Sequence, residues 1–205
     1  MSRTRCAMTL VTVLSLGGAA YAQEVGARRI EVGVATGAGM LFLADSNTVS
    51  RFGAYSVGGT LIINVTENVG VEGDFGLAAG RHQDLTFAQT TLFHQKTPSI
   101  LNYNGTLIYS PLGVHHVVAS YLAVGMGGLT MLHAPDTDVL GLTNTRTFLT
   151  ANAGGGVNWF PVKHLGVRGD YRFIIIRNQN DAPLFFGQEA TRYAHRIYGA
   201  LILTY

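Results

Sequence analysis

The sequence predicts an all-β fold: an eight-stranded antiparallel up-and-down transmembrane β-barrel, preceded by a cleavable signal peptide. Three observations predict it. Apolar and polar residues alternate with period two over eight stretches, the signature of strands. The connections between the stretches alternate short and long, which lays successive strands side by side as a meander. Charged residues make up only 13% of the 205, where a soluble domain carries about 25%, and within the strand cores they stay off the apolar face.

The N-terminus reads as an address. Arg3 and Arg5 precede an apolar stretch from Ala7 to Ala20, and Ala20-Tyr21-Ala22 forms a small-x-small cleavage site. That is the layout of a secretory signal peptide. At about 14 residues the stretch falls short of the about 20 that a spanning helix needs, which disfavours a retained anchor. The expected division is a signal peptide over 1–22 and a single barrel over 23–205. Cleavage removes both arginines and leaves 12 basic against 12 acidic residues, so the mature charge is zero and gives no nucleic-acid footprint. The one cysteine, Cys6, is lost with the leader, so no disulfide framework exists. Disorder and collagen are excluded, because the chain is apolar and its glycines follow no three-residue period.

The eight predicted strands run 29–42, 54–65, 69–81, 99–110, 117–133, 146–160, 165–175 and 192–205. Short connections fall at Thr66-Glu67-Asn68, Pro111 to His116 and Pro161 to His164, where Pro and Asn supply turn chemistry. Long connections fall at 43–53, 82–98, 134–145 and 176–191. No run after Gln23 is long enough for a membrane helix. An even count of eight suffices to close a small barrel, and closure removes the aggregation-prone edges.

Alternation alone does not say which face meets water. The charges do. Val71, Gly73, Phe75 and Leu77 share one face of the third strand, and Glu72 and Asp74 share the other. In the seventh strand, Val167, Gly169, Tyr171 and Phe173 oppose Arg168, Asp170 and Arg172. Ile30, Val32 and Val34 oppose Glu31, and Ile197, Leu201, Leu203 and Tyr205 oppose Arg196, with Ile202 also inward. A water-facing wall would carry many lysines, yet there are only Lys96 and Lys163, both placed in connections. The strand charges nearly balance, as a narrow lumen requires, because buried charges persist only when paired and hydrogen-bonded. The predicted lumen network is Glu31, Glu72, Asp74, Arg168, Asp170, Arg172 and Arg196. The apolar face is read as lipid-facing. Tyr109, Tyr121, Trp159 and Tyr205 fall near the short-turn ends, and Phe42, Tyr55, Phe173 and Tyr193 near the long-loop ends. They resemble the two interfacial girdles of membrane barrels, although strand propensity also favours aromatics.

Three segments carry a family resemblance: Val71-Glu72-Gly73-Asp74-Phe75, Gly166-Val167-Arg168-Gly169-Asp170-Tyr171-Arg172-Phe173 and the terminal Tyr198-Gly199-Ala200-Leu201-Ile202-Leu203-Thr204-Tyr205. With the signal peptide, they make the chain similar to the bacterial outer-membrane small β-barrel superfamily, as in the transmembrane domain of outer-membrane protein A. The resemblance implies residence in the bacterial outer membrane among its lipid and lipopolysaccharide. It also implies an assembly signal ending on Tyr205, recognised by the barrel-assembly machinery, and a monomer. That family's peptidoglycan-binding domain is not expected. With export, the first strand runs outward and the long connections are extracellular.

Inside so narrow a barrel, the polar residues read as a structural ion-pair plug or as a gated ion path, with the plug favoured because eight strands leave only room for side chains. None of the seven histidines stands in a zinc motif such as HExxH, and His115-His116 reads as a solvated turn. No metal, cofactor or catalytic residues are expected. No His precedes a Ser by two residues, the local pattern of some lipid A-modifying barrels. Gly125, Gly127 and Gly128, and Gly154-Gly155-Gly156, lack the Lys-Ser/Thr of a phosphate loop, and barrel curvature explains them better. Phe87, Leu92 and Phe93, with Leu184, Phe185 and Phe186, are apolar for loops. They form either a patch for an unnamed extracellular ligand or a set that packs on itself. Four functional readings follow: a structural or surface-interaction barrel, a narrow pore, a lipid-modifying enzyme, and a soluble lipocalin-like carrier. The first, non-enzymatic reading leads.

Overall fold

The computed structural model describes residues 29–44, 51–87, 90–177, 179, 182–186 and 191–205. The expected signal peptide lies outside them. Among the described residues ten strands form, and eight of them close the barrel: β1 (Ile30–Phe42), β2 (Phe52–Asn64), β3 (Val69–Ala79), β6 (Ser99–Tyr109), β7 (Val118–Leu132), β8 (Arg146–Val162), β9 (Leu165–Ile176) and β10 (Arg192–Thr204). Each is antiparallel to its neighbours, and β1 pairs with β10 from Glu31↔Thr204 to Phe42↔Ala194 to shut the ring. The eight strands expected from the alternation are these eight.

Two connections differ from expectation. Residues 82–98 are not an open loop. They hold β4 (His82–Phe87) and β5 (Thr90–Lys96), a two-stranded sheet outside the ring. Its pairing shifts between Gln83 and Leu85, and His94 adopts a left-handed φ of 55° with its N–H donated to Asp84 Oδ1 at 2.9 Å. The irregularity erases the period-two pattern, so the hairpin is invisible to it. β8 also runs through Pro161 to Val162, leaving Lys163 and His164 as the turn. Its register with β9 breaks between Trp159 and Val162, where Pro161 has no N–H to give a ladder.

Alternation decides the two faces. Along β9, Arg168, Asp170 and Arg172 are buried, while Val167 and Tyr171 are about two-fifths exposed. Val34, Phe75, Leu122, Val124, Ile197 and Leu201 all stand more than half exposed on the outer wall. So continuous an apolar exterior suits hydrocarbon, not water. Midway along β1 the phase breaks: Thr36 and Gly37 both face outward, and the register shifts in both of its seams. This bulge keeps Met40 and Phe42 pointing inward above it. The Thr36 carbonyl accepts a hydrogen bond from Tyr55 Oη at 2.6 Å. In a bilayer every backbone group needs such a partner.

The glycine clusters lie within paired strands, not loops. At Gly156 a Cβ would meet the Tyr121 ring, its direct partner on β7, and at Gly128 one would meet Tyr103. Each glycine gives an aromatic side chain room to lie flat across its neighbour.

Candidate functional site

The barrel interior holds the candidate site, and it has two chemically opposite levels. Around mid-barrel, inward side chains of β3, β7 and β9 form a charged cluster. Arg172 grips Asp170 in a two-pronged contact, Nε to Oδ1 at 2.9 Å and Nη2 to Oδ2 at 2.8 Å. Its Nη2 also donates to Glu72 Oε1 at 3.0 Å. Arg168 Nη2 lies 2.5 Å from Glu72 Oε2 and 3.2 Å from Asp170 Oδ2. Tyr121 Oη donates to Asp170 Oδ2 and accepts from Arg168 Nε, both at 2.5 Å. The side chains of Glu72, Arg168, Asp170 and Arg172 have no solvent exposure. The register explains the meeting: inward positions two apart on β9 lie opposite inward positions of β8 and β10, and Glu72 faces them across the lumen.

Beside this cluster, Arg196 Nη1 meets Asp74 Oδ1 at 2.6 Å, and Asn104 Nδ2 donates to the same oxygen at 3.2 Å. Asp74, Arg196 and Tyr198 line a cavity of about 20 Å³ with Ser56 and Thr60, large enough for a water. Glu31 does not join the cluster. It sits towards the short-turn end, where Asn64 Nδ2 donates to Oε1 at 2.8 Å and Asn158 Nδ2 lies 3.5 Å from Oε2.

The long-loop end of the lumen is apolar. Phe42 and Phe52 stack at 4.3 Å, and Phe186 reaches Phe148 at 4.9 Å and Phe42 at 5.8 Å. Met40, Ile100, Met131, Ile174 and Ile176 fill in below from the strands. Leu85 comes from β4, Leu140 and Leu142 from the β7–β8 connection, and Phe185 with Phe186 from a 3-10 turn at Leu184–Phe186. Arg192 stands under this turn. Its Nη1 donates to the Phe186 carbonyl at 3.2 Å, and its guanidinium lies over the rings of Phe52 and Phe186 at 5.4 and 5.3 Å.

The aromatic expectations need two corrections. Tyr121 is not on the outer girdle: it is 3% exposed and bound into the charged cluster. Its neighbours Leu122 and Val124 take the outward positions, so Tyr121 must face in. Phe42 also faces in, as part of the apolar mouth. Tyr55, Tyr109, Trp159, Tyr193 and Tyr205 are outward, each more than two-fifths exposed. Phe185 and Phe186 are 2% exposed and Phe93 is 77% exposed, so the apolar loop residues do not act as one patch. The Phe87 and Leu184 side chains lie outside the described residues. Sequence reasoning missed the apolar mouth. Its signal was present, because Phe173-Ile174-Ile175-Ile176 and Met40-Leu41-Phe42 are apolar on both faces.

An apolar outer wall, an interior filled with side chains and short turns at one end only define a transmembrane β-barrel of the outer-membrane class. A lipocalin-like carrier, with a polar exterior around an apolar cavity, is the inverse of this arrangement. The family model described as "Outer membrane protein beta-barrel domain" matches residues 7–189. The chain belongs to that family, and the bacterial outer membrane is its location. Among solved structures, it is similar to Neisserial surface protein A, with a TM-score of 0.58 and 10% identity over 86% of this chain and 97% of that one. It is also similar to Ail of Yersinia pestis in complex with the heparin analogue sucrose octasulfate, with a TM-score of 0.50 and 9% identity over 85% and 97%. OprG of Pseudomonas aeruginosa gives a TM-score of 0.48 and 16% identity over 86% and 95%. At these identities the likeness is one of fold. No curated protein gives a significant match.

Proposed function

We propose that the protein is a sealed, non-catalytic outer-membrane barrel that presents a folded surface beyond the bilayer for interaction with an extracellular partner. One observation carries this reading: the long-loop mouth is packed with buried phenylalanines, as a protein core is. An open pore would keep its mouth wet. Below it, the paired charges act as a structural plug, cross-tying strands on opposite sides of the ring. Above it, the β4–β5 hairpin is tied to the β7–β8 connection by Lys96 Nζ to Asp136 Oδ2 at 3.1 Å and Gln95 Nε2 to the Asp136 carbonyl at 2.9 Å. These two connections therefore form one shaped surface in place of independent tethers. We read Tyr55, Tyr109, Trp159, Tyr193 and Tyr205 as interfacial anchors, Tyr205 also as the end of the assembly signal read by the barrel-assembly machinery, and the protein as a monomer.

Reconstitution in planar bilayers tests the seal. The expected result is no discrete conductance, and regular unitary steps would favour the pore reading instead. Replacing residues 81–97 with a short turn is expected to leave a folded, heat-modifiable barrel that loses surface binding. Sulfated sugars are a sensible first probe, given the ligand in the Ail complex. Lipid A composition unchanged on expression is the expected outcome for a barrel without lipid-modifying activity.

A further inference from the structure

We propose that the β4–β5 hairpin carries a site for one divalent transition-metal ion, Cu²⁺ or Zn²⁺, with His82 and His94 as its two protein ligands and water completing its coordination. The two histidines stand far apart in sequence, in no metal-binding spacing. The hairpin brings them together: their rings lie 4.8 Å apart between centres and within 18° of parallel. Two imidazoles on one ion, each about 2.1 Å from it through nitrogen, place their ring centres about 4.6–5.3 Å apart for angles between right and tetrahedral. The observed separation falls in that interval. Both side chains are exposed, so rotation about their own bonds, without backbone movement, can bring one nitrogen of each to a shared ion.

The backbone is built to place the second ring. Among the described residues, His94 is the one non-glycine with a positive φ, 55°. It lies where the pairing of β4 with β5 shifts between Gln83 and Leu85. Bulges of this kind re-aim a side chain, and a left-handed non-glycine residue persists only where its surroundings hold it. Here the holder is Asp84, whose Oδ1 accepts the His94 N–H at 2.9 Å. That contact also sets a carboxylate beside the pair, and its negative charge favours a cation. Lys96 is paired directly with His82, but its ammonium is bound to Asp136 Oδ2 at 3.1 Å, which offsets its positive charge. Imidazole nitrogen suits Cu²⁺ and Zn²⁺, and the usual order of affinity puts Cu²⁺ first. Among the described residues no group of three or more His, Cys, Asp or Glu converges, so the site is an open two-ligand clamp and not a closed structural centre. A two-stranded hairpin outside the ring is marginal by itself, and an ion that joins its two strands stabilises it by mass action. Metal supply would then set how firmly the hairpin holds its shape. The inference uses the hairpin alone and needs neither the sealed mouth nor a loop partner.

The test is calorimetric titration of the untagged protein, extracted from outer membranes, with CuCl₂, ZnCl₂ or CaCl₂, joined to electron paramagnetic resonance of the Cu²⁺ form. One Cu²⁺ per chain is expected, bound more tightly than Zn²⁺ and showing two nitrogen ligands. Ca²⁺ is expected not to bind, because it seeks several oxygen ligands. His82→Phe keeps an aromatic ring in place, and His94→Asn keeps a residue that tolerates left-handed backbone. Each is expected to weaken Cu²⁺ about tenfold or more and to leave a single-nitrogen spectrum. The combined His115→Ala, His116→Ala and His133→Ala variant is expected to keep the site. The barrel closes without the hairpin, so all variants are expected to fold, which a heat-dependent gel shift checks. Three results would each overturn the proposal: no Cu²⁺ uptake, uptake undiminished in His82→Phe or in His94→Asn, or uptake lost in the combined variant.

Discussion

Two halves of one lumen are built by opposite rules. At mid-barrel, the acids Glu72 and Asp170 and the bases Arg168 and Arg172 are buried against each other. A few residues nearer the loops, Phe42, Phe52, Phe148 and Phe186 pack ring against ring. The difference follows from what closes each level. The middle is bounded on all sides by strands that must also present an apolar outer face, so polar residues mark which side is in. The mouth is closed by connections that fold back into it, so it needs no such marking and can pack as a core does. The contrast teaches that a charged interior specifies facing, whereas an apolar interior seals.

The comparison can be broken most severely in the middle. Arg172→Ala leaves Glu72 and Asp170 short of a cation in a closed interior and is expected to cost about 3–5 kcal/mol, read as a lower urea midpoint in refolding titrations. The double variant Glu72→Gln with Arg168→Met is expected to cost clearly less than either single change, because no charge is stranded. At the mouth, Phe52→Ala is expected to cost about 3–4 kcal/mol through lost packing, with an urea dependence otherwise like that of wild type. If it also yields conductance steps, the phenylalanine cluster is what seals the barrel. Arg192→Ala removes two ring contacts and the carbonyl bonds that seat the 3-10 turn, for about 1–2 kcal/mol. Faster proteolysis between 177 and 191 would show that turn released. Tyr55→Phe removes one hydrogen bond from the β1 bulge and is expected to cost about 1 kcal/mol, a control on the outer wall.

The two levels were not equally legible. Strand facing is a property of the backbone, so Glu72, Asp74, Arg168, Asp170, Arg172 and Arg196 could be placed inside from parity alone. That Glu72, Arg168, Asp170 and Arg172 meet, while Glu31 sits with Asn64 and Asn158, depends on the stagger between strands, which parity does not contain. Tyr121 was open to the same parity argument, but its residue type suggested an interface. The mouth was hidden by the rule that membrane barrels are polar within. That rule holds only where lipid is outside and water or charge is inside, and it lapses where loops re-enter. The β4–β5 hairpin was hidden because neither face meets lipid and its bulge at Asp84 and His94 breaks the alternation.

The ion pairs also impose a timetable on assembly. Glu72 is supplied by the third strand, and its partners Arg168 and Arg172 by the ninth, some hundred residues later. Asp74 waits longer still, for Arg196 on the last strand. The residues that cork the mouth, Phe185 and Phe186, are delivered by the final connection, just before that strand. A growing sheet therefore carries unmatched acids on a surface still open to water, and they are neutralised, dried and capped together when the last hairpin docks. Ring closure, charge pairing and corking all require the last hairpin, so a barrel without it is left with unmatched acids and an open mouth.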